Sequence, residues 1–313
     1  MRVLIFGAGA VGSVLGGFLA RQNHEVAFLG RPANMDAIRQ NGLKVSGIWG
    51  EHVIRAIRTA GSIEALGCEW DWIFVCVKSY QTKQAAAELS ALLGPKTLVC
   101  AFQNGLGNYE TLCASVPVQR LALGRVIFGV EQSPGSVRVT VCADDVLVGS
   151  PSAAFPEKEL AVLAEALRQS GIPARAEKAI TTALWGKVLY NCALNPLSML
   201  LEVPYGGLLE KENTRQIMRR VIEEAYAAAG LHGVRLVPDS AQAYCRLLFE
   251  RLIPDTAAHH SSMLQDIQRS RRTEIDALNG AIVKLAEEKN RSAPMNALLT
   301  RLVYARERMV GAR

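Results

Sequence analysis

At 313 residues the chain can bury ~75% of its unfolded surface and divide into two domains. Its formal net charge of +6 is dispersed: Arg271-Arg272 and the terminal Arg301, Arg306, Arg308 and Arg313 stand among acids and apolar residues, the pattern of solvated helix faces and not of a nucleic-acid surface. No apolar run reaches the ~18 residues of a membrane span. The seven cysteines contain no C-x-x-C, the nearest pair being Cys68 and Cys76, and Cys76 and Cys100 sit in strand-like apolar runs. A cytoplasmic protein with reduced core thiols and no metal centre is expected.

The N-terminus, Val3-Leu4-Ile5-Phe6, is an apolar strand running into Gly7-Ala8-Gly9-Ala10-Val11-Gly12 and an apolar helix. In that context G-x-G-x-x-G is a dinucleotide fingerprint. Gly7 makes the tight turn, Gly9 lets the backbone approach a pyrophosphate, and Gly12 lets helix and strand pack closely. The opening N–H groups of the helix, backed by its dipole, would point at the phosphates. A signal peptide is the competing reading of Arg2, the apolar run and the small residues near Ala20; four glycines and a second strand directly afterwards speak against it. That strand, Glu25–Leu29, ends at Gly30-Arg31-Pro32. An acid here would suit a ribose hydroxyl, whereas the planar donor fork of Arg31 suits a 2′-phosphate, so NADP(H) is the expected cofactor.

Strands alternate with helical patterns as far as about residue 176, implying parallel pairing. Lys78 follows the run Trp72–Val77, and Gln103-Asn104-Gly105 follows Thr97–Phe102. Both lie at strand ends where open α/β sheets bind ligands. Val137–Val141 and Val146–Gly149 read as a hairpin joined by Ala143-Asp144-Asp145. Beyond the boundary near Pro173–Lys178 the pattern is helical. One helix is expected over Thr214–Ala229, capped by Gly230, another over Pro238–Arg251, and long helices from Ser261 onward. The expected division is a dinucleotide-binding domain over 1–176 and a helical domain over 177–313, with ligand in the cleft between them.

Within Trp185–Pro196, residues Lys187, Asn191 and Asn195 recur every four positions and so share one helix face in an otherwise apolar segment. They are either a buried polar ladder that sets helix packing or the wall of an active site. Pro196 cannot donate to the carbonyl of Cys192, which favours a kink and frees an acceptor. Ser261-Ser262-Met263-Leu264-Gln265-Asp266 resembles a helix N-cap with a capping box, and Arg272-Thr273-Glu274-Ile275-Asp276 an ordinary charged face.

Taken in order along nearly the whole chain, these pieces resemble the ketopantoate reductase family: the Gly7–Gly12 fingerprint, Arg31, Val77-Lys78-Ser79, Asn104-Gly105, Lys187 with Asn191-Cys192-Ala193-Leu194-Asn195-Pro196, Ser261 to Asp266, Arg272 to Asp276, and Pro294-Met295-Asn296. The resemblance implies a Rossmann-type domain followed by an all-α domain similar to that of 6-phosphogluconate dehydrogenases. It implies NADPH-dependent reduction of 2-dehydropantoate to pantoate, on the route to pantothenate and coenzyme A. By the same resemblance Lys187 is the general acid, and Glu274 orients it or contacts the nicotinamide ribose. Asn191 and Asn195 bind the hydroxyl side of the substrate and Ser262 its carboxylate. Asn104 bridges cofactor and substrate, Lys78 and Arg31 hold the adenosine phosphate end, and the backbone near Val130 lies against the cofactor. The partner is then a small 2-oxo acid, with no nucleic acid or membrane, while apolar helix faces can serve as core or as a homodimer interface.

Two positions depart from the family pattern: His259 and Tyr205 stand where relatives tend to carry asparagines near the substrate hydroxyl. A changed hydroxyl site can move preference to another 2-oxo acid, because sites built to bond a hydroxyl discriminate by large factors. A sibling reductase of another 2-oxo acid is therefore one alternative. A non-catalytic NADP-binding sensor is a second, against which Lys187 and Glu274 both speak.

Overall fold

The computed structural model describes residues 1–67 and 69–312; Cys68 and Arg313, both invoked above, lie outside the described residues. The chain forms two compact units, residues 1–103 with 108–181, and residues 104–107 with 182–313. The change of unit thus falls a few residues beyond the expected 176, and the segment 104–107 packs with the second unit.

The first unit runs β1 (Arg2–Phe6), α1 (Ala10–Arg21), β2 (Glu25–Leu29), α2 (Pro32–Asn41), β3 (Leu43–Gly47), β4 (His52–Ile54) and β5 (Ile57–Ala60). It continues through β6 (Trp72–Val75), α3 (Thr82–Leu89), β7 (Leu98–Ala101), α4 (Asn108–Leu112) and β8 (Leu121–Arg125). β9 (Phe128–Ser133), β10 (Ser136–Cys142), β11 (Val146–Gly149), α5 (Glu157–Gln169) and β12 (Ala174–Ala176) complete it. An eight-stranded sheet has the order β12-β11-β8-β7-β6-β1-β2-β5. From β5 to β8 its neighbours are parallel, and β11 joins β8 antiparallel. Unbroken apolar runs suit such strands: Val3–Phe6 and Trp72–Val75 are buried throughout. The chain winds outward from β1 to β2 and β5 on one side and to β6, β7 and β8 on the other. This makes the carboxyl ends of β1 and β6 the switch point of a dinucleotide fold.

The expected hairpin of β10 with β11 does not form. β10 pairs antiparallel with β9 through the turn at Pro134-Gly135 and parallel with β3, in a separate four-stranded sheet of order β4-β3-β10-β9. Both edges of β10 are then in use, so β11 pairs with β8 instead. The Pro-Gly dipeptide, with Gly135 at φ 72°, was the stronger turn signal.

The second unit is helical: α6 (Ile180–Leu201, its first two residues counted with the first unit), α7 (Tyr205–Leu209), α8 (Glu212–Leu231), α9 (Ala241–Leu247), α10 (Ser262–Gln268), α11 (Asn279–Glu287) and α12 (Pro294–Met309). α8 does not stop at Gly230. It ends at Leu231, with the left-handed residue at Gly233, whose N–H reaches Gly230 O. Ser240 caps α9 through the Ala243 N–H, so the helix begins after Pro238, and it widens into a π turn over Leu248–Leu252. The region after Ser261 breaks into three helices, and Arg272–Asp276 is a loop leading into a short turn.

Pro196 lies inside α6, and the carbonyl it leaves without a helical donor has a partner. Asn279 donates from Nδ2 to Cys192 O at 3.1 Å and to Asn296 Oδ1 at 3.0 Å. Asn296 donates in turn to Val221 O and Glu224 Oε2, while Glu224 also accepts the N–H groups of Met295 and Asn296 at the start of α12. A carboxylate at a helix N-terminus is favourably placed. The line Cys192–Asn279–Asn296–Glu224 thus ties the carbonyl freed by Pro196 in α6 to three other helices. Apolar side chains of α6, α8, α11 and α12, among them Leu189, Leu194, Val221, Ile282 and Val303, form the core around it.

Candidate active site

In the first unit, strand ends position the expected cofactor residues. Gly7 has φ 103°, and a Cβ there would lie 2.6 Å from Val77 N. A Cβ at Gly12 would lie 2.6 Å from Gly7 O and 2.7 Å from the Ile5 side chain. These two glycines are required by packing. Gly9 is different: a Cβ would meet nothing nearer than 4.0 Å, so the space above it is open to a ligand. Gly9 is the N-cap of α1 and its side supplies no cap, and the first N–H groups of a helix lack intrahelical partners. Open space at the middle glycine, facing the positive end of a 12-residue helix, fits the pyrophosphate of a dinucleotide.

Two side chains that the sequence did not single out hold this loop. Asn34 donates to Ala8 O at 2.8 Å and accepts from Gly135 N at 2.8 Å; Gln132 donates to Ala8 O at 3.4 Å. Gln132 shares a face of β9 with Val130, two residues before it, which puts Val130 on the side of the glycine loop. Arg31, exposed, is the N-cap of α2 just past β2. Lys78, half-buried, follows β6. Since β6, β1 and β2 are neighbours, Lys78 and Arg31 flank the loop on its two sides. The turn bearing Lys78 is braced by Gln103, whose Nε2 donates to Val77 O at 3.1 Å and Thr82 Oγ1 at 2.7 Å, and by the Thr82 hydroxyl, which donates to Asn108 Oδ1 at 2.7 Å. Nothing local in the sequence distinguishes Asn34, Gln103 or Thr82 from loop and helix-start residues.

In the second unit α6 carries Lys187, Asn191 and Asn195 as one helix, the last two buried and the lysine half-buried. Lys187 Nζ donates to Asn104 Oδ1 at 2.7 Å, and Asn104 Nδ2 donates to Glu274 Oε2 at 3.1 Å. A carboxamide can accept only through oxygen and donate only through nitrogen, so this line fixes the orientation of Asn104. The segment carrying Asn104 is pinned by Leu106 N donating to Ala277 O at 2.8 Å. Gly105, at φ 85°, passes so close to Ala277 that a Cβ would meet its carbonyl oxygen at 2.4 Å. Glu274 is buried, which corrects the reading of Arg272–Asp276 as a solvated helical face. Arg272 and Asp276 do pair on the surface at 2.7 Å, while Glu274 turns inward.

Ser261 is the N-cap of α10, accepting from Leu264 N at 3.0 Å, and its hydroxyl donates to Asn195 O at 3.4 Å. Ser262, the first residue of α10, is exposed. Tyr205 is buried, and its hydroxyl donates to Asn195 Oδ1 at 2.6 Å. Burial pushes its phenol well above the usual range, so it remains a neutral donor. Among the described residues, Asn195 Nδ2 and both polar atoms of the Asn191 side chain make no hydrogen bond, yet none is sealed from solvent. Their capacity remains available to a ligand. The second unit thus sets one ammonium and two carboxamides along a helix face, with a buried carboxylate behind the ammonium. Among the described residues no cluster could hold a metal ion, and no helix is long and apolar enough to cross a membrane.

Comparison with known proteins agrees with this arrangement. The family model for ketopantoate reductase PanE/ApbA matches residues 3–152, and the model for its C-terminal domain matches residues 179–307. A 2-dehydropantoate 2-reductase of Aquifex aeolicus is 40% identical over 308 residues, covering 98% of this chain and 97% of the relative. A crystal structure of a PanE/ApbA family ketopantoate reductase from Ralstonia eutropha is 33% identical with a TM-score of 0.88, covering 99% of each chain. A ternary structure of D-mandelate dehydrogenase with NADH and anilino(oxo)acetate is 25% identical with a TM-score of 0.89 over the whole of both chains. A dinucleotide-binding sheet, a helical unit bearing lysine and asparagines on one face, and these matches along the full length lead to one assignment: the chain belongs to the ketopantoate reductase family.

Proposed function

We propose that the protein reduces 2-dehydropantoate to pantoate with NADPH, a step toward pantothenate and coenzyme A. The observation that carries this reading is the line Lys187–Asn104–Glu274, which holds an ammonium at 2.7 Å from a carboxamide oxygen on a helix face that also offers Asn191 and Asn195. The bound reduced nicotinamide supplies the hydride for the C2 ketone. Oxygen gains negative charge as hydride arrives, so an aligned ammonium that donates a proton there lowers the barrier. Lys187 takes that role as general acid, Asn104 sets the direction of its N–H bonds, and Glu274 sets Asn104. Asn191 and Asn195 bind the hydroxyl side of the substrate, and Ser262 its carboxylate.

The Gly7–Gly12 loop, through the backbone of Gly7, Ala8, Gly9, Ala10, Val11 and Gly12, takes the pyrophosphate. Arg31 takes the 2′-phosphate, with Lys78 on the other flank and Val130 beside the loop. Arg31 carries the preference for NADPH over NADH, as a guanidinium fork matches a phosphate. The departures at Tyr205 and His259, with the likeness to a D-mandelate dehydrogenase, favour one second reading, a reductase of another 2-oxo acid.

The test is steady-state NADPH oxidation with ketopantoate beside a panel of 2-oxo acids, phenylglyoxylate among them. A kcat/KM highest for ketopantoate supports the first reading, and a better substrate elsewhere in the panel supports the second. Lys187→Ala is expected to lower kcat by ~10²-fold or more, the scale of a lost general acid, with NADPH still bound. Retained kcat in that variant would remove Lys187 from the chemistry. Cofactor binding with no turnover of any acid would leave a nucleotide sensor.

A further inference from the structure

Asn195 is held by more than its own helix. Its carbonyl accepts from Ser261 Oγ at 3.4 Å, and its side-chain oxygen accepts from the Tyr205 hydroxyl at 2.6 Å. Tyr205 is itself fixed at three points. Its backbone N–H donates to His259 O at 3.0 Å. Its ring meets the Tyr190 ring edge-on with centroids 5.6 Å apart, and the His259 ring at 5.4 Å. Tyr190 is anchored in turn by a 2.6 Å hydrogen bond between its hydroxyl and that of Thr256.

A carboxamide carries one oxygen acceptor and an NH₂ with two donors, and can present either end by rotating half a turn. With the oxygen committed to a buried phenol, rotation would set NH₂ against that hydroxyl, which could then accept only by leaving its own buried proton without the acceptor it has here, so the orientation with Oδ1 on the phenol is kept. The end of Asn195 left to a ligand is Nδ2, a donor.

We infer that Tyr205 is a positioning residue that sets substrate preference: it locks Asn195 with Nδ2 outward, so that this part of the site accepts a 2-oxo acid bearing an oxygen acceptor on its side chain. The inference rests on the 2-oxo acid reading above and adds to it the residue that selects among such acids. His259 contributes a ring that packs on Tyr205 and a carbonyl that holds its backbone.

The test compares wild type with Tyr205→Phe, which keeps the ring and removes only the hydroxyl. Two substrates are used, ketopantoate and 2-oxo-3,3-dimethylbutanoate, which has the same carbon skeleton without the hydroxyl. Wild type is expected to favour ketopantoate in kcat/KM. In the variant the ratio should fall by about tenfold, as expected for one hydrogen bond in a discriminating site. The change should lie in KM for ketopantoate, with kcat for the deoxy acid and NADPH affinity retained. An equal loss for both acids, or an unchanged ratio, overturns the inference.

A second measurement is independent of turnover: the side-chain ¹⁵N–H₂ resonances of Asn195, assigned by their loss in Asn195→Ala. Tyr205→Phe should shift them and bring the two protons toward exchange, and resonances left in place refute the lock. If wild type reduces neither acid, the reductase reading fails, and the resonances alone decide the role of Tyr205.

Discussion

Replacing Asn279 by leucine removes the donor that answers Pro196. In the folded protein Asn279 Nδ2 serves Cys192 O at 3.1 Å and Asn296 Oδ1 at 3.0 Å. Cys192, Asn279 and Asn296 are all fully buried, so water does not readily replace the lost donor. Each buried acceptor left unpaired costs ~1–3 kcal/mol, and leucine strands two of them. One opposing effect is visible: Asn279 Oδ1 is itself buried without a partner, and its removal cancels about one such cost. The net loss is then ~1–3 kcal/mol. At ~2–4 °C per kcal/mol for a protein of this size, the melting temperature should fall by ~2–12 °C. Thermal and urea unfolding followed by circular dichroism reads this directly. A leucine variant as stable as wild type would refute the claim that the Cys192 carbonyl depends on Asn279. Asn279→Asp should be worse than leucine near neutral pH, because a carboxylate sets further acceptors against the same two oxygens.

The glycine loop yields a contrast between neighbours. Gly9→Ala has open space around its new methyl, so the melting temperature should be kept while dinucleotide affinity drops, as titration calorimetry would show. Gly12→Ala drives its methyl into Gly7 O and Ile5 and should lower stability as well; equal stability of the two variants would contradict the packing described. Arg31→Ala should raise KM for NADPH and leave KM for NADH nearly unchanged, and a parallel rise in both would deny Arg31 its phosphate role. His24 has its pKa lowered, chiefly by burial. As pH falls through the ordinary histidine value of about 6.5, the unfolded chain binds the proton first. Stability is therefore lost on the acid side of that value, and His24→Gln should flatten the unfolding profile there.

Much of the geometry of the glycine loop was legible because it is local. A strand, three glycines at fixed spacing and a helix start lie within one dozen residues, and their geometry follows from backbone sterics. The helical spacing of Lys187, Asn191 and Asn195 was legible for the same reason, since period alone puts them on one face. The sequence also announced a free carbonyl at Cys192, because proline cannot donate.

What answers that carbonyl was decided only by the tertiary structure: Asn279 lies 87 positions along the chain. The polar line at Lys187 spans similar distances: Asn104 is 83 positions from Lys187, and Glu274 is 170 positions from Asn104. Hydrogen bonds between such residues leave no mark in local composition, which is why Glu274 resembled a surface charge. The mistaken hairpin has the same origin. β10 and β11 each have strand character, but pairing depends on which edges are already taken, and β9 and β3 had taken those of β10. Local backbone preference and periodicity are encoded residue by residue; the satisfaction of buried polar groups is settled only when the whole chain has packed.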